Sequence, residues 1–202
     1  ITRTLAARAE AEWVEQFVTA SVALIPVYAP QPMLAKANLI VAGIALSKAT
    51  RRELVTTSLE ALIDGVDHGH DDLRAGLTKG LGYVASNKEY ADLVIERCTA
   101  LAKGPEKKGF FSSFGKKESS KRELTEHSRA VAAMTMCWLP RRLHASLLLS
   151  RFDTAVVPIV ASVIRDAPLS DVQLLAVQGL GLMEAPLRKA PAPQRLGIHT
   201  GP

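Results

Sequence analysis

Apolar residues recur three and four positions apart through most of this chain, while strict alternation is rare, so the pattern predicts helices rather than strands. The first helix is expected over about 2–24, where Leu5, Ala9, Trp13, Phe17 and Val18 fall at helical spacing and Pro26 and Pro30 close the segment. Pro32 suits the first turn of a second helix, about 32–48, carrying Leu34, Ile40, Val41, Ile44 and Ala45. Thr50 with Glu53 reads as a capping box opening a third, to about 65, with Leu54, Leu59, Leu62 and Ile63. A clearer pair follows. Asp71 and Asp72 favour the start of a helix over about 70–85 with Leu73, Leu77, Leu81 and Val84 on one face. Ser86 or Asn87 then caps another, about 88–103, with Tyr90, Leu93, Val94, Cys98 and Leu101. The tight turn between these two predicts an antiparallel repeat unit. A second such pair is expected over about 118–139 and 141–165, broken at Pro140 and kinked or split at Pro158. Ser170 is placed as the cap of a last helix, with Val172, Leu175, Val177, Leu180 and Met183, before a Pro-rich tail.

Late in four of these helices one short phrase returns: Gly43-Ile44-Ala45-Leu46, Gly80-Leu81-Gly82-Tyr83, Thr135-Met136-Cys137-Trp138 and Gly179-Leu180-Gly181-Leu182. The offsets are 37 (43 to 80), 55 (80 to 135) and 44 (135 to 179) residues. That brackets the roughly 40 to 47 residues of a HEAT or armadillo unit, with one inserted loop. Small residues alternating with apolar ones suit helices that approach closely. The expected fold is all-α, a HEAT-like α-solenoid of antiparallel helix pairs. Its divisions are an N-terminal helical pair over 1–50, repeats over 51–103, an inserted loop over 104–119, repeats over 120–189 and an extended tail over 190–202.

With 202 residues, 48% of them hydrophobic, the chain can bury a substantial core. Its charge is localised. Lys103 to Arg122 holds seven basic and two acidic residues, which accounts for the whole net charge of +5 and leaves the remainder neutral. Cys98 and Cys137 lack a second ligand at metal spacing and read as small buried hydrophobes in a reducing compartment. No 18-residue uncharged apolar run occurs. The start at Ile1, without Met or a signal pattern, reads as a segment of a longer protein.

The stretch from Asp71 to Ser86, DDLRAGLTKGLGYVAS, resembles a recurrent unit of the maestro heat-like repeat proteins, which are large α-solenoids. Tyr90 to Leu101, the loop with Phe110, Phe111 and Phe114, the segment Arg129 to Leu139, and QLLAVQGLGL from Gln173 to Leu182 follow in the family's order. The likeness spans roughly Glu53 to Lys189; residues 1–50 and the tail from Pro191 match poorly. The resemblance implies a non-catalytic scaffold in the cytoplasm, part of a longer solenoid, and carries over no functional residues.

The candidate interaction site is the stretch holding Lys107, Lys108, Phe110, Phe111, Phe114, Lys116 and Lys117. Its aromatics offer apolar area, and its lysines meet acidic side chains or anionic headgroups. The same residues also fit a plain solvated loop whose phenylalanines tuck back over their own repeat. His68-Gly69-His70-Asp71-Asp72 groups metal-binding side chain types, yet lies at a turn and helix start where Asp caps, and no further ligand is visible. His127 with Ser128, and His144 with Ser146, lack a nucleophile elbow. Lys79-Gly80-Leu81-Gly82 lacks the strand and the Gly-Lys-Ser/Thr of a phosphate loop. Arg51-Arg52 and Arg141-Arg142, expected at helix starts, suggest an edge for RNA, but no base-reading positions recur at a constant offset. The sequence therefore reads as a scaffold that binds other proteins, without catalytic residues, cofactor or metal. The alternative is an adaptor at an anionic membrane, with RNA binding a weaker third and membership of a large complex open. Localisation is expected to be cytoplasmic, with membrane, cytoskeletal or ciliary association as variants.

Overall fold

A computed structural model describes residues 2–105 and 125–189, and among these every regular element is helical. The helices are α1 (Thr2–Ala23), α2 (Ile25–Tyr28), α3 (Pro32–Leu46), α4 (Arg52–Asp64), α5 (Asp71–Val84), α6 (Lys88–Lys103), α7 (His127–Trp138), α8 (Ala145–Arg151), α9 (Val157–Asp166) and α10 (Ser170–Lys189). A 3₁₀ turn, Leu139–Arg141, follows α7, and a π turn, Phe152–Val156, joins α8 to α9.

Local chemistry sets most boundaries. Pro32 is the first helical residue of α3, where its missing N–H is no loss. The His70 ring accepts from the Asp72 N–H and caps α5, and Asn87 caps α6 through the Glu89 N–H. Other signals act differently from the sequence expectation. Pro26 does not end the helical path; it occupies the first turn of α2, where a proline fits. Thr50 does not cap α4, whose N-cap is Arg51 in an extended conformation without a side-chain bond. Ser170 is already inside α10. Arg141 and Arg142 lie after the end of α7 and not at a helix start. The predicted helix over 141–165 is divided: a π turn closed by the Val157 N–H on the Phe152 carbonyl precedes Pro158, which falls in the first turn of α9, where its missing N–H is no loss.

α3, α5, α7 and α10 stand side by side, α3 against α5, α5 against α7 and α7 against α10. Three sets of contacts give their direction. Lys36 pairs with Asp72 and Gly43 lies on Gly80. His68, just before α5, meets Ser128, while Gly82 lies on Trp138. His127 meets Asp171, while Gly179 lies on Cys137. Early residues meet early residues and late meet late, so the four helices run parallel in one row. α4, α6 and the α8–α9 run carry the chain from the end of one row helix to the start of the next. The turn joins α5 to α6, but α5 packs mainly on α3, and α6 mainly on α7.

The recurring phrase marks the crossings of this row. A Cβ on Gly43 would fall inside 3.0 Å of the Gly80 backbone, and one on Gly80 would sit 2.6 Å from the Leu39 carbonyl oxygen. A Cβ on Gly179 would sit 2.9 Å from Cys137 Sγ. Backbones meet there because no side chain keeps them apart. Between successive turns, the Tyr90 hydroxyl donates to the Ala49 carbonyl at 2.8 Å and Asn87 Nδ2 to the Ser47 carbonyl at 3.0 Å, satisfying carbonyls exposed where α3 ends.

The strongly amphipathic helices bury the expected faces: Leu73, Leu77, Leu81 and Val84 on α5, and Tyr90, Leu93, Val94, Cys98 and Leu101 on α6. α1 and α3 do not. Val14 and Val18 face the core on α1 while Trp13 is outside. On α3, Ala35, Leu39, Ala42, Gly43 and Leu46 are buried, and Leu34, Val41 and Ile44 are exposed. α3 is apolar almost all round, so its periodicity names no face, and the tight crossing with α5 selects the small residues instead. On α10 the same selection buries Ala176 and Gly179 and leaves Val177 and Leu180 outside.

Candidate functional site

The outward edge where the row helices end gathers cations on aromatic rings. Gly82 leaves space for Trp138, because a Cβ there would fall inside 3.0 Å of the indole. The indole and Tyr83 then form a floor under the two arginines that follow α7. Arg142 lies 4.1 Å from the Tyr83 ring centroid and 5.7 Å from that of Trp138, and Arg141 lies 5.1 Å from Trp138. Arg141 Nε also donates to the Leu182 carbonyl at 2.8 Å, tying α7 to the last turns of α10. Arg142 Nε and Trp138 Nε1 are buried with no hydrogen-bond partner among the described residues. Guanidinium groups stacked on aromatic rings beside helix ends are suited to a carboxylate-bearing partner. On the same row, Met33, Leu34, Val41 and Ile44 give α3 an exposed apolar stripe.

The sequence cluster at 68–72 is distributed among structural tasks. His68 is buried, its Nε2 2.9 Å from the Ile63 carbonyl oxygen and its Nδ1 2.8 Å from Ser128 Oγ. Because a carbonyl can only accept, Nε2 carries the proton, Ser128 donates to Nδ1, and Ser128 Oγ accepts from the Thr125 N–H at 3.2 Å. Arg74, also buried, donates to the His68 carbonyl at 2.7 Å and pairs with Asp71. Asp72 pairs with Lys36 at 2.8 Å. Among the described residues no three His, Cys, Asp or Glu come together as a metal site. His127 turns away from Ser128 to Asp171, 3.0 Å away, while His144 meets Ser146 as the cap of α8.

Two open depressions accompany the row. One, about 390 Å³, lies between α6 and α9 beside the π turn and includes Thr99, Lys103, Arg129, Thr154, Ser162 and Asp166. Arg129 is engaged there, donating to the Lys103 carbonyl at 2.7 Å and lying 2.9 Å from Glu126. The other, about 540 Å³, lies between α1 and α4, where Arg51 pairs with Glu15 at 3.2 Å. Lys107, Lys108, Phe110, Phe111, Phe114, Lys116 and Lys117 lie outside the described residues.

No family model, curated protein or solved structure matches this chain. Among the described residues one helical run, Ser146–Asp166, is long and apolar enough to cross a membrane by length and composition. It also packs Val156, Ile159, Val160 and Val163 into the core, and Arg151 fixes its start through paired bonds to Asp92 at 2.8 and 3.0 Å.

Two predictions follow from the titrating groups. Burial pushes the thiols of Cys98 and Cys137 up to about 12, so neither forms appreciable thiolate near neutral pH. The folded protein should leave a thiol reagent unreacted until denaturant is added; rapid labelling of the native chain would contradict the packing. Hydrogen bonds from Lys36, Arg151 and His127 hold the carboxyls of Asp72, Asp92 and Asp171 below the usual 3.8. A native pKa below the unfolded one adds stability that is fully present above about 3.8 and fades as pH falls through the native value. Melting temperature should therefore hold down to about pH 4 and fall below it, and Asp72→Asn with Asp92→Asn should flatten that fall.

Proposed function

We propose that this chain is a non-catalytic helical-repeat scaffold, a HEAT-like α-solenoid segment that binds other proteins along the outward side of its row. The observation that carries the reading is the coincidence of the recurring phrase with the crossings of four parallel helices, which supports equivalent units stacked in series. In this reading α4 with α5, α6 with α7, and α9 with α10 are the antiparallel units, and α1 with α3 begins the series. The likeness of 71–86 and 173–182 to maestro heat-like repeat proteins, and a cytoplasmic setting, belong to the same proposal. The partner would lie across the apolar stripe of α3 and place an acidic group on Arg142.

The experiment compares partners captured from cells by the wild-type chain, by Val41→Ser with Ile44→Ser, by Arg142→Ala, and by deletion of 109–117. All four must match in helicity and melting. Loss of the same partners from the first two variants supports the row as the working face. Loss confined to the deletion moves the site to the basic and aromatic stretch, and an unchanged list in all three overturns the reading.

A second reading, docking on an anionic membrane, draws on Leu149 and Val157, exposed on the Ser146–Asp166 run. Salt-reversible cosedimentation with anionic vesicles is its signature.

A further inference from the structure

Every large hydrophobic side chain exposed among the described residues lies either between Trp13 and Ile44 or between Leu149 and Leu180; α4, α5, α6 and α7 expose none. Those two spans are the two ends of the stack. Behind the row of α3, α5, α7 and α10, ion pairs link the remaining helices in a second layer. Glu15 of α1 pairs with Arg51, the N-cap of α4, Glu60 of α4 with Arg97 of α6, and Asp92 of α6 with Arg151 of α8. One end therefore presents α1 with α3, and the other the α8–α9 run with α10. Two positions along a helix is a rotation of about 200°, so a residue two away from one that faces inward lies on the far side. Glu15 faces α4, and Trp13 and Phe17 flank it, their rings stacked 5.4 Å apart. Lys36 and Gly43 face α5, and Leu34 and Val41 precede them by two. Arg151 faces α6 and Ile159 is buried, with Leu149 and Val157 two before them. Gly179 faces α7, with Val177 and Gly181 on either side of it. Trp13, Leu34, Val41, Leu149, Val157 and Val177 are 42% to 63% exposed, so both ends turn apolar flanks outward where a free-standing stack needs polar ones.

The two free row flanks repeat the two halves of the α3–α5 crossing. On α10, Leu174 and Gly181 are seven residues apart, the spacing of Lys36 and Gly43 on the flank that α3 gives to α5. A Cβ on Gly181 would meet nothing within 4 Å, so this seat is open. On the outer flank of α3, Ala37, Val41 and Ala45 recur at the four-residue interval of Asp72, Gly76 and Gly80, which α5 sets against α3. We infer that a second copy of this chain continues the stack, its α3 on the α10 flank and its α1 on the α8–α9 run. Val41 then meets Gly181 in the row, and Trp13 meets Val157 in the second layer. None of these residues is charged, so the contact buries no unpaired ion. It is heterologous: each copy keeps one free end of each kind, so association proceeds head to tail. This rests on the stacked units proposed above.

Sedimentation velocity over a wide concentration range tests it, using the whole chain, a head variant Val41→Asp and two tail variants, Val177→Asp and Val157→Asp, each checked for unchanged helicity and melting. The wild type is expected to form dimers and longer species as concentration rises, and each variant alone to remain a monomer. Val41→Asp mixed with either tail variant should give a dimer and nothing larger, because one competent junction remains. The two tail variants mixed together should not pair. A wild type that stays monomeric throughout overturns the inference. So does continued self-association of any single variant or pairing of the two tail variants, which would indicate a symmetric contact, or failure of the head variant to pair with the tail variants. These failures leave the row itself intact; that is tested separately through the stability of the glycine crossings.

Discussion

Gly43→Ala is expected to lower the melting temperature in dilute solution by about 6 °C, while Gly181→Ala leaves it unchanged or slightly raises it. Both substitutions add one methyl to a helix and gain about 1 kcal/mol of helix propensity. They differ in what the methyl meets. At Gly43 it falls inside 3.0 Å of the Gly80 carbonyl oxygen and Cα, backbone atoms that cannot rotate away. α3 and α5 must separate along their whole contact, an overpacking cost of about 3 kcal/mol that outweighs the propensity gain. At Gly181 the methyl meets nothing within 4 Å, so only the gain remains. Equal effects at the two sites would mean that the close crossing of α3 and α5 is wrong.

Ser128→Val should cost about 3 kcal/mol in denaturant unfolding, close to the upper range for orphaned buried hydrogen-bonding groups. The hydroxyl serves twice, donating to His68 Nδ1 and accepting from the Thr125 N–H, and valine does neither. Water has poor access, since Ser128 is fully buried and His68 nearly so. Pairing it with His68→Phe should show coupling of about 1 to 2 kcal/mol between the sites, because each single change strands the other's partner. Additive losses would mean that the two side chains do not share a bond.

The helical class and the glycine phrases were legible in the sequence because both are local. A helix with one apolar face, such as α5 or α6, states which side is buried, and a Cβ-less position repeated late in successive helices states that something comes close. What comes close was not legible. Gly43 and Gly80 are both in the phrase, but nothing local says that they touch each other rather than a third element. The failures at Trp13, Val41 and Val177 have one cause: on α1, α3 and α10, apolar residues outnumber the buried positions, so spacing selects no face. The arginine and aromatic edge escaped because Tyr83, Trp138 and Arg142 are brought together across the parallel row; the signal was there in Gly82, whose missing side chain is the seat of Trp138. The residues 68–72 illustrate the reverse, a cluster conspicuous in sequence that the fold divides among a cap, two ion pairs and a buried histidine bond.

The central claim is that α3, α5, α7 and α10 form an open row and not a closed bundle. Spin-label distances decide it, with labels on exposed positions Val41, Lys79 and Gln178 and the native cysteines replaced. Neighbouring helix axes lie about 8 to 10 Å apart, so three steps along a row place the α3 and α10 labels about 25 to 30 Å apart, against about 10 Å for α3 and α5. A Val41 to Gln178 distance near three times the Val41 to Lys79 distance is the predicted result. Equal distances for the two pairs would mean that the ends meet, and the row, with the scaffold built on it, would fall.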